Sequence, residues 1–163
     1  MSALLTMKNI KKSFSGVAAL KNAELELNKS EVVALMGENG AGKSTLMKIL
    51  TGIYSKDEGV ITFEGKEVEY KSVSESEEAG IAIVHQELNM MNDLTVAQNL
   101  FIGKERKKGF FIDDAKMAQD AKELFRKLNV DINPNVKIGN LTVGKQQMVE
   151  IAKAISTNAK VIV

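Results

Sequence analysis

The sequence predicts an α/β fold with a mostly parallel sheet and an N-terminal β region. Short apolar runs rich in β-branched residues occur at 32–36, 81–84 and 161–163, and such runs are typical of strands buried on both faces of a parallel sheet. Apolar alternation at 4–10 and 17–27, broken by small turn residues, indicates further β-strands ahead of the first run. From residue 93 onward the apolar residues recur at helical spacing instead.

Local turn and cap signals define the elements between the buried runs. A hairpin is predicted over 59–68, because an alternating segment precedes the turn signal Glu64-Gly65. Ser74 and Glu77 have the spacing of a helix capping box, and Gly80 can end that short helix.

The second half of the chain predicts three helices and their connections. They cover 95–101, 113–128 with Asp113 or Asp114 as the cap, and a segment that follows 141–147. The basic segment 103–109 is interpreted as a solvated connection, and Pro134 marks a turn. The last helix is expected to bury an apolar stripe, formed by Met148, Ile151, Ala152 and Ile155.

The composition predicts a single domain with an apolar core. The chain has 163 residues, of which 44% are hydrophobic, enough to bury a core. Lys and Arg number 22 against 21 Asp and Glu, a net charge of +1 that gives no overall attraction to nucleic acid or anionic membranes. Cysteine is absent, which excludes disulfides and Cys-ligated metal sites. No run approaches the roughly 20 apolar residues of a membrane helix.

One glycine-rich stretch carries the strongest functional signal. It reads Gly37-Glu38-Asn39-Gly40-Ala41-Gly42-Lys43-Ser44-Thr45 and matches the pattern G-x-x-x-x-G-K-[ST]. The apolar run 32–36 precedes it, and a short helix that Gly52 can end follows it. A strand that passes through such a loop into a helix leaves several N–H groups unpaired at one point, where the helix dipole favours negative charge. The stretch therefore predicts a phosphate-binding loop and a P-loop nucleotide-binding core.

A second candidate follows the buried run 81–84, where His85 and Gln86 come at the carboxyl end of the predicted strand. Ligands of open α/β sheets bind at the carboxyl ends of strands, so Gln86 is expected to share an edge with the phosphate loop. His85 is interpreted as structural.

The order of the phosphate loop, Gln86 and the segment Leu141-Thr142-Val143-Gly144-Lys145-Gln146-Gln147 resembles the ATP-binding cassette (ABC) family. Within this family, the sequences of 37–54, 84–89 and 147–153 are most similar to the N-terminal cassette of bacterial monosaccharide (ribose/galactose-type) importers. The resemblance covers essentially the whole chain. It implies a nucleotide-binding core formed by 1–89 and 157–163, and an inserted helical subdomain at 90–156 that contains the signature segment.

The resemblance also implies the ligands and the residues that hold them. ATP and Mg²⁺ are the expected cofactors, with Gly37 to Thr45 around the phosphates and Lys43 and Gln86 in catalytic roles. Ser44 and Gln86 are implied as magnesium ligands, and Phe14 matches the upstream aromatic that stacks on adenine. Thr142 and Gly144 belong to a signature that caps the γ-phosphate of ATP held by the opposing cassette.

The partners implied by the resemblance are a second cassette and integral membrane permease subunits, with a periplasmic or surface sugar-binding protein acting indirectly. The protein is then expected at the cytoplasmic face of the cell membrane, as a peripheral ATPase subunit that drives sugar uptake, without nucleic acid.

Two departures from the family pattern lead to further expectations. A complete cassette continues past Val163 into an acidic pair and a histidine, so this chain alone is expected to be incomplete at its C-terminus and inactive in hydrolysis. The signature has Val143 where the common form has glycine, and a valine is expected to be strained there if the position needs a positive φ.

Three other classes of protein share the loop. A GTPase would carry an Asn-Lys-x-Asp segment downstream of the loop, whereas Asn28-Lys29-Ser30-Glu31 lies upstream and ends in Glu. A soluble ABC-type ATPase acting on DNA or ribosomes, and a nucleotide-binding module without turnover, are the alternatives to a transporter subunit. The near-neutral charge disfavours the nucleic-acid class.

Overall fold

The computed structural model describes residues 3–84, 90–157 and 159–163. The chain divides into two compact units, Met1–Ile81 and Ala82–Val163. Within the described residues, no helix combines the length and the apolar character needed to cross a bilayer.

The first unit contains a four-stranded antiparallel sheet. Its strands are β1 (Leu5–Phe14), β2 (Val17–Leu27), β3 (Glu58–Phe63) and β4 (Lys66–Glu67), in the order β2-β1-β3-β4. Two tight turns with positive φ at both central residues join them, at Ser15-Gly16 and at Glu64-Gly65. The predicted N-terminal β region and the predicted hairpin are confirmed.

The apolar side chains of the sheet alternate as expected for one buried face. Leu5 pairs with Phe63 and Met7 with Ile61 across β1 and β3, and all four are buried. This pairing makes β1 the centre of the first unit's core.

Helices α1 (Lys43–Leu50) and α2 (Val73–Ala79) complete the first unit. Gly52 ends α1 as predicted, with φ +73, and Gly80 ends α2 with φ +102. The cap of α2 is Ser72 rather than the predicted Ser74, because the Ser72 hydroxyl accepts the hydrogen bond from the N–H of Glu75.

The predicted buried strand at 32–36 is not formed. The structure assigns these residues no strand, and Val32 and Met36 are almost fully exposed. In the described part of the first unit their backbone makes no hydrogen bond to a neighbouring strand. A parallel strand needs such neighbours, so apolar composition alone does not produce one.

The second unit is mostly helical. Helices α3 (Val96–Phe101), α4 (Asp114–Lys127) and α5 (Val143–Ser156) match the three predicted helices. Thr95 and Gln98 form a capping box on α3, and Asp113 caps α4 through the N–H of Lys116. A short 3-10 helix (Ile138–Asn140) precedes α5. The helices enclose one apolar cluster, which includes Val96, Leu100, Met117, Ala121, Phe125, Ile138, Val149 and Ala152.

Parallel pairing appears at the end of the chain. The strands β5 (Ile81–Ala82) and β8 (Val161–Ile162) are short. Val163 donates its N–H to the carbonyl of Ala82 and accepts from the N–H of Val84, at 2.9 and 2.8 Å. In a parallel ladder, one residue forms hydrogen bonds to the residues before and after its partner on the neighbouring strand, as Val163 does here. The predicted strand at 161–163 is therefore confirmed, with β8 covering its first two residues.

Two details of the second unit differ from prediction. The buried face of α5 is centred on Val149 and Ala152, whereas Ile151 is 37% exposed, so the predicted stripe is displaced around the helix. The basic segment, predicted as a solvated connection, is exposed at Lys107 and Lys108, but these residues form a short hairpin, β6 (Lys107–Lys108) with β7 (Phe111–Ile112). Asp120 ties this hairpin to α4, accepting from Arg106 Nε at 2.9 Å.

We predict that Gly52→Ala destabilises the protein more than Gly65→Ala. Both glycines have positive φ, +73 and +78, so each substitution incurs a left-handed penalty of roughly 1–2 kcal/mol. A methyl group at Gly52 would also lie 2.7 Å from the carbonyl oxygen of Ser72, whereas nothing lies within 4 Å at Gly65. We expect about 1–3 kcal/mol of additional loss at Gly52.

The measurement is the urea midpoint of both variants beside the unsubstituted protein. Equal midpoints for the two variants would show that the close approach of Gly52 to Ser72 does not constrain the fold.

Candidate functional site: the phosphate loop

Backbone conformation allows the loop to end directly in α1. Gly40 and Gly42 have φ +88 and +86, and Gly42 occupies the N-cap position. A Cβ at Gly42 would lie 2.5 Å from Leu20 Cδ2 and 2.8 Å from the carbonyl oxygen of Ala19. The loop therefore rests against β2 at a point where only glycine fits.

The side chain of Lys43 folds back over the loop. Its Nζ donates to the carbonyl oxygens of Gly37 at 2.7 Å and Glu38 at 2.8 Å. A further bond inside the loop runs from the N–H of Ala41 to the carbonyl of Glu38, at 3.1 Å. These contacts hold one positive charge within the glycine-rich stretch.

Backbone N–H groups add donors at the same place. The N–H of Leu46 bonds to the carbonyl of Gly42 at 2.9 Å, so Lys43, Ser44 and Thr45 lie in the first turn, where a helix offers no carbonyl to their N–H groups. The N-cap provides no side-chain acceptor, and the first turn contains no acidic residue. A lysine and several amide donors at one helix N-terminus form an arrangement suited to an anion.

The remaining loop residues are accessible to a ligand. Glu38, Asn39 and Ala41 are exposed, as is Ser44. Within the described residues the Ser44 hydroxyl has no hydrogen-bond partner, so its oxygen is available.

Phe14 lies at the end of β1 in the same unit. The strand pairing aligns Lys12 of β1 with Leu20 of β2, the residue against which Gly42 rests. Phe14 is two residues further along and 39% exposed. The sequence-predicted aromatic is therefore on the strand next to the one that supports the loop, with part of its ring open to solvent.

The surroundings of Phe14 include residues that the sequence did not indicate. The ring of Tyr54 meets that of Phe14 at a centroid distance of 5.1 Å and an angle of 68°, and Lys12 Nζ lies 5.5 Å from the Phe14 centroid. An aromatic residue shortly after a helix end is a weak sequence signal, because most such residues simply pack.

Asp57 anchors the backbone beside this pair. Its carboxylate accepts from Lys12 Nζ at 2.8 Å and from the N–H of Ser13 at 2.7 Å. The hydrogen bond from Lys12, followed by the one from Ser13, lowers the pKa of Asp57 below its usual value. The carboxylate is therefore charged near neutral pH, and the bonds that hold β1 before Phe14 persist.

The signature segment lies in the second unit. Thr142 is the N-cap of α5, and its side chain makes no capping hydrogen bond. Thr142 and Gly144 are both exposed, and nothing lies within 4 Å of a Cβ at Gly144. The hydroxyl and the N-terminus of α5 are thus open to an approaching group.

Val143 is not strained, contrary to the expectation from its sequence. It is the first residue of α5, and its φ is not positive. The side chain is 62% exposed. Because α5 begins at this position, a valine fits its helical backbone, and its difference from glycine here is bulk alone.

Gln146 has a structural role that the sequence did not show. Its Nε2 donates to the carbonyl oxygens of Ile138 at 3.0 Å and Leu141 at 3.2 Å. These bonds fasten the 3-10 helix to α5 and so fix the backbone that leads into Thr142. Gln86 and His85 lie outside the described residues.

Comparison with known proteins gives one consistent result. The chain is 51% identical over 164 residues to the xylose import ATP-binding protein XylG of Geobacillus kaustophilus, an alignment that covers 99% of this chain and 32% of XylG. It is 51% identical over 160 residues to the galactose/methyl galactoside import ATP-binding protein MglA of Salmonella typhimurium, covering 98% of this chain and 32% of MglA. The chain thus spans about a third of the length of these relatives.

Solved structures show the same fold. A nucleotide-free ATP-binding cassette from an ABC transporter matches with a TM-score of 0.85 and 31% identity, over 99% of this chain and 68% of the cassette. A cassette of an ABC transporter in its ADP conformation matches equally well, with a TM-score of 0.85 and 31% identity over the same shares of the two chains. The α/β P-loop fold predicted from the sequence is therefore confirmed.

The model of the family described as ABC transporter matches residues 20–163. This match includes the phosphate loop, with Lys43 at the start of α1, and the segment that begins α5. The chain belongs to the ABC transporter family.

Proposed function

We propose that this chain is the nucleotide-binding part of an ATP-binding subunit that couples ATP binding and hydrolysis to sugar uptake. The observation that carries the proposal is the Lys43 ammonium, held by two loop carbonyls at the N-terminus of α1. The identity of about half the residues to proteins named as xylose and galactose import subunits supports the choice of substrate class.

The proposed binding step exchanges the partners of Lys43. In the structure its ammonium donates one hydrogen bond to each of the Gly37 and Glu38 carbonyls. When ATP binds, Lys43 turns to the β- and γ-phosphate oxygens, and the N–H groups of the first turn of α1 bind the same phosphates. The ammonium gains a Coulomb attraction to the charged phosphate oxygens that the neutral carbonyls do not provide, so the exchange favours the nucleotide.

The loop also fits a magnesium ion that arrives with ATP. Magnesium prefers oxygen ligands and is usually held by one or two protein oxygens plus substrate phosphates. The exposed, unpartnered Ser44 hydroxyl suits this role, and no group of three or more acidic, His or Cys side chains that could hold a metal occurs in the described parts of the chain. Ser44 and Gln86 are the proposed ligands, and the ion would offset negative charge that develops on the phosphates.

Turnover is proposed to need a second cassette. Thr142 and the N-terminus of α5 would close on the γ-phosphate of ATP bound to the partner, and the partner's signature would close on the loop around Lys43. Gln86 is proposed to orient the attacking water. Catalysis by these groups is positioning and electrostatic stabilisation.

The proposed assembly places the protein at the cytoplasmic face of the cell membrane. Two cassettes would act on integral permease subunits, and a sugar-binding protein would deliver the substrate outside. The names of the relatives as import ATP-binding proteins support this arrangement.

The full-length protein that contains this chain should lose ATP affinity on Lys43→Ala. Removal of one charged hydrogen-bond donor to phosphate costs about 1.5–3 kcal/mol, which corresponds to a roughly 10- to 150-fold higher Kd. Titration calorimetry with Mg-ATP measures the change. Lys66→Ala is the matched control, because Lys66 is an exposed lysine on β4, at the opposite edge of the sheet from β2. Equal Kd values for the two variants would refute the role of the loop.

A second prediction concerns the partners. Tagged full-length protein, purified in mild detergent from its own cells, should carry integral membrane subunits, and its ATPase rate should rise with the sugar-loaded binding protein. Lys43→Ala should keep the membrane subunits and lose most of the ATPase activity. If the tagged protein copurifies with ribosomes or nucleic acid and without membrane subunits, it is a soluble cassette protein and the transporter assignment is wrong.

A further inference from the structure

We propose that Tyr54 is a positioning residue that sets the ring of Phe14 for the base of the bound nucleotide. The inference rests on the proposed function, in which Phe14 stacks on adenine, and it adds a residue for which the sequence contains only a weak signal. All of the contacts that carry it lie within the first unit.

The first observation is the contact between the two rings. Tyr54 and Phe14 meet in an edge-to-face arrangement, with centroids 5.1 Å apart and planes at 68°. Phe14 is otherwise poorly enclosed, since 39% of it is exposed. A half-exposed side chain at a strand end has several rotamers open to it, and a ring packed against one side removes some of them.

The second observation is that Tyr54 is fixed to the helix that begins at the phosphate loop. The N–H groups of Ile53 and Tyr54 both donate to the carbonyl of Lys48, at 2.8 and 3.1 Å. Lys48 Nζ also lies 5.5 Å from the centroid of the Tyr54 ring. Tyr54 therefore has little freedom relative to the last turn of α1.

These contacts connect the two ends of the nucleotide site. An eight-residue helix is about 12 Å long, with Lys43 at one end and Leu50 at the other. The path from the phosphate loop runs along α1 to Tyr54 and then to Phe14. A nucleotide whose triphosphate is bound at the loop can stack its base only on an aromatic ring that lies at a fixed distance from the loop. The contacts along α1 and Tyr54 fix that distance for Phe14.

Asp57 has a complementary role. Its carboxylate binds Lys12 and Ser13, and its N–H donates to the carbonyl of Lys11 at 2.9 Å. These bonds fix the backbone of β1 up to Phe14 without contact to the ring itself. The orientation of the ring is left to Tyr54, with Lys12 on the ring as well.

The test separates base binding from phosphate binding in the full-length protein. The Kd of Mg-ATP and the Kd of magnesium tripolyphosphate, which has no base, are measured for four single variants, Tyr54→Leu, Tyr54→Met, Tyr54→Phe and Phe14→Ala, and for the double variant that combines Phe14→Ala with Tyr54→Leu. Tyr54→Met retains side-chain bulk without a ring and serves if Tyr54→Leu folds poorly. Lys43→Ala is the reference for a lesion that weakens both ligands.

We expect Tyr54→Leu and Tyr54→Met to weaken ATP binding about two- to tenfold, the range for loss of one aromatic pair contact. Tripolyphosphate affinity should be unchanged. Tyr54→Phe should bind ATP as the unsubstituted protein does, because the ring is retained. Phe14→Ala should cause an equal or larger loss for ATP alone, and Tyr54→Leu should add little to it, since both act on the same ring.

Three results would overturn the inference: unchanged ATP affinity in both Tyr54→Leu and Tyr54→Met, equal losses for ATP and tripolyphosphate, or additive losses with Phe14→Ala. If Phe14→Ala itself leaves ATP affinity unchanged, the base-stacking part of the proposed function fails, and the role of Tyr54 fails with it. Loss in Phe14→Ala without loss in the Tyr54 variants rejects the role of Tyr54 alone.

Discussion

The close approach of Gly42 to β2 is the constraint on which the first unit's site depends. Because Gly42 has no side chain, it can lie against Ala19 and Leu20, where a Cβ would collide, and the chain turns from the loop into α1 at this point. The turn places Lys43 at the first helical position, from which its ammonium reaches back to Gly37 and Glu38. It also leaves the N–H groups of the first turn without carbonyl partners. The close approach of Gly42 to β2 therefore positions both the Lys43 charge and the N–H donors of the first turn at the same place.

The two units hold different groups of the proposed site residues. The first holds the loop, Ser44 and the pair formed by Phe14 and Tyr54. The second holds Thr142 at an open helix N-terminus, with Gln146 securing the backbone before it. The first unit places a lysine and amide donors at one helix N-terminus, an arrangement suited to an anion, whereas the open cap of α5 lies in the second unit. This division agrees with the proposal that each signature serves the nucleotide of another cassette.

Most local features that depend on near neighbours were predictable from the sequence, although the cap of α2 is Ser72 rather than the predicted Ser74. The turns at Ser15-Gly16 and Glu64-Gly65 and the cap of α4 involve only a few adjacent residues, and the structure has them as expected. Features that depend on distant partners were not predictable. The run 32–36 is apolar enough for a buried strand but has no strand beside it in the described residues. Tyr54 and Asp57 come to Phe14 through the pairing of β1 and β3 and the end of α1, which no sequence window reveals.

Hydrogen–deuterium exchange of the full-length protein, with and without Mg-ATP, tests whether the glycine-rich loop and the first turn of α1 bind the phosphates of ATP. The N–H groups of Lys43, Ser44 and Thr45 lie in a first helical turn that offers them no carbonyl acceptor, so they should exchange fast in the free protein and slowly when phosphates accept their hydrogen bonds. We expect strong protection of peptides that cover 37–46, and its loss in Lys43→Ala at the same ATP concentration. Unchanged exchange in these peptides at saturating ATP, with protection elsewhere in the chain, would contradict it.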